Sequence, residues 1–167
     1  PLIGNYGVNP EDAESASPHV RGLVIEELSP VASNFRSRQS LGDYFLEHNI
    51  LGIEGIDTRA LTKHLRTAGS MRCCVSTELT AEEAAQAAKD SSPMAGSDFV
   101  KEVSTDTNYH WQGESRLWNI PSPSQNREGH YEELEPAKYK LVAFDFGIKY
   151  NILRSMRQAG FDIEVVN

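Results

Sequence analysis

The stretch from residue 140 to residue 166 limits the fold more than any other part of the chain. Residues 140–145 read Lys-Leu-Val-Ala-Phe-Asp, a short apolar run of the kind that forms a strand buried in a parallel sheet. Residues 149–159 then place Ile152, Leu153 and Met156 on one helical face, Gly160 marks the stop, and residues 161–166 return to strand character. Strand, helix and strand within about thirty residues make a βαβ unit, whose strands must run parallel. A parallel sheet is stable when both faces are covered, and a single helix covers only one. Residues beyond Asn167 are therefore expected to complete that domain. Without them Leu141, Val142, Ile152, Leu153 and Val165 are expected to keep exposed apolar surface.

Upstream, short strands alternate with amphipathic helices between residues 22 and 90. Residues 22–26 are a candidate buried strand. Ser40 can cap a helix with Asp43 three residues on, and Leu41, Tyr44, Phe45 and His48 follow the spacing of one helical face. Residues 50–56 read as a strand weakened by Gly52 and Gly55. Asp57 sits where a cap belongs, Leu61, Leu65 and Ala68 share a face, and Gly69 ends that helix. Residues 71–76 read as a further strand, and Thr80 with Glu83 opens an alanine-rich helix that runs to about Asp90. No internal repeat is present.

Composition changes after Val103. Residues 104–136 are rich in Ser, Asn, Gly, Glu and Pro and hold no sustained period, which marks a connection between domains. Trp111 and Trp118 stand out there, since large aromatics outside a periodic segment must bury against something, either a core or a partner.

The chain has 167 residues, of which 39% are hydrophobic, enough for a useful core. With 24 acidic against 16 basic residues, its field repels nucleic-acid phosphates and anionic lipid, so no nucleic acid and no membrane is expected as partner. No apolar run approaches the ~20 residues that a spanning helix needs. The sequence begins at Pro1 without a leader-like stretch, which reads as a cut into a longer chain. Adjacent cysteines rarely pair with each other in a relaxed disulfide, and the sequence has no Asn-x-Ser/Thr acceptor. Both features favour a reducing compartment, with a cytoplasmic location expected.

Few constellations suggest chemistry. Asp145-Phe146-Gly147 has the form of a kinase magnesium motif, but the glycine-rich loop, strand lysine and His-Arg-Asp loop that a kinase needs are absent from the sequence. The simpler reading is that Asp145 and Gly147 end a strand and turn the chain into a helix, at the kind of strand end that faces a ligand crevice. Cys73 and Cys74 lie between Met71-Arg72 and Val75-Ser76, without the Gly-flanked turn of a nucleophile elbow, so one is expected to face a core and the other solvent. His19, His48, His64, His110 and His130 are scattered, without metal-ligand spacing. Arg59, Lys63 and Arg66 share a helix face, which is either a solvated face or a docking face for an acidic partner.

Four blocks, residues 1–9 (Pro-Leu-Ile-Gly-Asn-Tyr-Gly-Val-Asn), 32–36 (Ala-Ser-Asn-Phe-Arg), 55–62 (Gly-Ile-Asp-Thr-Arg-Ala-Leu-Thr) and 101–105 (Lys-Glu-Val-Ser-Thr), together resemble the small subunit of glutamine-dependent carbamoyl phosphate synthetase. Residues 145–154 (Asp-Phe-Gly-Ile-Lys-Tyr-Asn-Ile-Leu-Arg) resemble the opening of that subunit's class I glutamine amidotransferase domain. The likeness spans nearly the whole chain.

It implies an α/β chain. Residues 1–105 would be the later part of a layered β/β/α amino-terminal domain, 106–137 a connector, and 138–167 the first βαβ unit of a flavodoxin-like amidotransferase domain. The family hydrolyses glutamine through a cysteine thioester with a histidine base. Ammonia then passes to a large subunit, which makes carbamoyl phosphate from bicarbonate with ATP and magnesium, for arginine and pyrimidine synthesis. The family's Gly-x-Cys-x-Gly elbow, its later His and Glu, and its glutamine-gripping Ser and Gly residues have no counterpart among these 167 residues. No catalytic, cofactor-binding or metal residue is carried over, and scaffold and subunit contact are the expected roles. A different class I amidotransferase and a non-catalytic binding module built on the same motifs are the alternatives.

Limited proteolysis of the full-length protein is expected to cut first between Gln112 and Pro136, where the chain is polar and aperiodic. First cleavage within residues 55–68 would show the domain limit to be misplaced.

Overall fold

A computed structural model describes residues 2–111, 116–119 and 130–167, with the side chains at 116–119 and 130–133 outside that description. The chain is mixed α/β with small sheets, and it divides into two compact units, Pro1–Ser97 and Asp98–Asn167.

The first unit holds β1 (Leu2–Ile3), β2 (Gly22–Val24), β3 (Glu27–Leu28), α1 (Leu41–Glu47), β4 (Leu51–Ile53), α2 (Thr58–Ala68) and α3 (Ala81–Asp90). Two parallel pairs form, β1 with β3 and β2 with β4, the latter in register Gly22↔Leu51 to Val24↔Ile53. The helix ends sit where their capping residues require. Ser40 Oγ accepts the Asp43 N–H and donates to the Asp43 carboxylate, and Asp57 Oδ1 accepts the Ala60 N–H at 2.8 Å. Thr80 and Glu83 close a full capping box. Gly69 has φ +85, a conformation that costs glycine little, and its N–H donates to Leu65 O.

Packing in this unit is thin. Ile25 and Ile50 are its buried hydrophobic residues among those described, and α2 and α3 bury none of their own. Arg36 ties two segments instead. Its guanidinium reaches Asp12 at 2.8 Å, Glu11 at 3.4 Å and the Tyr6 hydroxyl at 3.3 Å, while the Ser33 N–H donates to Asn5 O. The loop at 32–36 thus braces the opening residues of the chain. Residues 71–76 form no strand. Their period suits one, but no described segment pairs with them, and a strand exists only through its ladder.

The second unit holds α4 (Val100–Val103), β5 (Tyr109–His110), β6 (Arg116–Asn119), β7 (His130–Glu133), β8 (Tyr139–Phe144), α5 (Tyr150–Gln158) and β9 (Phe161–Val166). The expected βαβ unit is present: β8 and β9 pair in parallel from Tyr139↔Phe161 to Phe144↔Val166, with α5 between them. Sheet order is β5-β9-β8, β5 running antiparallel to β9. Residues 98–111, expected at the end of the first domain and the start of the connector, make their contacts in this unit. Residues 116–119 and 130–133 pair as antiparallel strands, too short for their alternation to register as a period.

Alternation along β8 and β9 decides what is covered. Leu153, Ile163, Val165 and Ala143 form the core under α5, with Tyr109, Trp111, Leu141 and Met156 packed around them. Trp111 therefore caps a core: its ring lies 5.2 Å from that of Tyr150, and its backbone N–H donates to Ile163 O. The side chain of Trp118 lies outside the described residues. On the other face Val142 and Phe144 stand 59% and 64% exposed, so the single helix covers one face only, as its geometry requires. Leu153 and Val165, expected to be exposed, are fully buried, because β5 and Trp111 extend the cover that α5 begins.

This asymmetry gives a direct test on the chain itself. Leu153→Ala should lower unfolding stability by about 2 to 5 kcal/mol in urea titration, and Phe144→Ser by about 1 kcal/mol or less. Equal losses at the two positions would mean that the Phe144 face is covered.

Candidate functional site

The place where the fold offers a site is the carboxyl end of β8, where the chain leaves the sheet and enters α5. Strand ends of this kind border the ligand crevice of open α/β sheets. Asp145 is 6% exposed there, and its carboxylate is fully engaged with backbone. Oδ1 accepts the N–H groups of Gly147 at 2.8 Å and Ile148 at 2.9 Å, and Oδ2 accepts the Thr105 N–H at 3.1 Å. The Asp145 N–H in turn donates to Val166 O at 2.8 Å, keeping the ends of β8 and β9 level.

Gly147 makes the turn possible. Its φ is +89, and a Cβ placed on it would stand 2.9 Å from Val103 Cγ2. The sequence motif Asp145-Phe146-Gly147 is thus a strand-to-helix turn with its carboxylate directed into backbone. Phe146 stays 66% exposed beside Phe144, their rings stacked with centroids 6.2 Å apart. Burial, and after it the negative charge of Asp145, push the Tyr109 phenol above its ordinary pKa.

Chemically the arrangement positions backbone. A carboxylate already accepting three N–H groups holds its charge on structure and has little capacity left for a base or a metal. Among the described residues no group of three or more His, Cys, Asp and Glu side chains is placed to hold a metal ion. His110 pairs with Asp162 at 2.7 Å, and the His48 ring lies 4.4 Å from that of Tyr44. The side chain of His130 lies outside the described residues. Cys73 is exposed and Cys74 half-buried, in a segment of the first unit without regular structure.

In that unit an apolar groove of about 350 Å³ runs between α1 and the β2–β4 pair, lined by Leu23, Leu41, Phe45 and Ile50. Its carboxylate, Glu54, is engaged with the Leu28 N–H. The Thr105 contact and the cover of Gly147 by Val103 were not visible in the sequence, since each joins residues about forty positions apart and neither residue type announces it. No described helix is long and apolar enough to cross a membrane.

These features define an α/β chain carrying a parallel βαβ unit whose first strand ends in an Asp-anchored turn. Residues 1–75 match the family described as carbamoyl-phosphate synthase small chain, CPSase domain. The carbamoyl phosphate synthase small chain of Akkermansia muciniphila is 46% identical over 166 residues, covering 99% of this chain and 41% of that protein. Those of Syntrophotalea carbinolica and Synechocystis sp. are 42% and 44% identical, each over 99% of this chain and 42% of their own length. The chain is similar over nearly its whole length to carbamoyl phosphate synthase small chains, and it spans about two fifths of the length of the curated relatives it matches.

Asp145→Asn replaces an acceptor oxygen with an amide donor among three N–H groups, which should cost about 1 to 3 kcal/mol. Hydrogen exchange at the Thr105, Gly147 and Ile148 amides should speed up together. Unchanged protection at Thr105 would show that the carboxylate does not hold residue 105 in place.

Proposed function

We propose that this chain is part of a carbamoyl phosphate synthase small chain that hydrolyses glutamine to glutamate and ammonia. The ammonia goes to a large chain, which forms carbamoyl phosphate from bicarbonate and ATP with magnesium. The observation that carries the reading is the alignment, at 41–46% identity, of 99% of these residues with proteins named as such small chains. Residues 1–105 would form part of a layered β/β/α domain, 106–137 a connector, and 138–167 the opening of a flavodoxin-like glutaminase domain. The uncovered Val142 and Phe144 face and the Asp145 turn suit the first unit of such a sheet.

In this reading these residues are scaffold and subunit contact, and no step of glutamine hydrolysis runs through them. A thioester-forming cysteine needs a thiolate beside a base and backbone N–H groups facing the oxyanion. Cys73 and Cys74 occupy a segment without the tight turn into a helix that would present such donors. The cofactors, ATP and magnesium, belong to the large chain. In the same reading the full-length protein is cytoplasmic and serves carbamoyl phosphate supply for arginine and pyrimidine synthesis.

Ammonia release from glutamine tests the reading. Full-length wild type should release it, and the Cys73→Ser, Cys74→Ser double variant should keep the rate within a few-fold, any loss reflecting packing of about 1 to 3 kcal/mol. The 167-residue chain alone should release none. A loss of about a thousandfold in a folded double variant would place the nucleophile here.

A further inference from the structure

We draw no further inference here: the strongest candidate, the apolar groove between α1 and the β2–β4 pair, carries none because nothing in the structure shows what covers it.

Discussion

The second unit depends on one carboxylate. Asp145 ends β8, fixes the turn into α5 through Gly147 and Ile148, and draws in the chain at Thr105. A buried carboxylate left without hydrogen bonds is costly, and each hydrogen bond to a charged group contributes a net of about 1.5 to 3 kcal/mol. The same contacts explain why α4 and β5 belong to this unit: with Thr105 held, Tyr109 is in register with Val165 and Trp111 reaches the ring of Tyr150.

The first unit rests on different physics. An eleven-residue helix is marginal in water on propensity alone. α2 and α3 bury no side chain among the described residues, so their definition comes from Asp57, Gly69 and the Thr80–Glu83 box at their ends. Arg36 supplies the long-range tie by joining Tyr6, Glu11 and Asp12. Exposed ion pairs are individually weak, but a guanidinium serving two carboxylates and a hydroxyl fixes a loop by geometry as much as by energy.

Local rules were legible in the sequence and long-range pairing was not. Ser40, Asp57 and Thr80 each cap the helix they were expected to cap, and β2, β8 and β9 fall on their apolar runs. Each of those signals is complete within a few residues. The strand expected at 71–76 failed because a ladder partner is a property of the fold, and β5 was missed for the converse reason, two residues being too few to show a period. The site divides along the same line. The Asp145 and Gly147 turn was readable from residue types, whereas Thr105 and Val103 reach it from about forty residues away.

The exposed pattern of the second unit carries one more step. Register along β8 and β9 pairs Lys140 with Asp162, Val142 with Glu164 and Phe144 with Val166 on the face opposite α5. His110, opposite Glu164, adds its bond to Asp162 on that side. That face is therefore graded, with charged groups where the strands begin and hydrophobic groups where they end. Apolar exposure is concentrated beside the Asp145 turn, where Phe144 stacks on Phe146. Any element that covers this face gains most of its apolar contact at the strand ends. The carboxyl end of β8, already fixed by Asp145, is thus also where a covering element would be held most firmly.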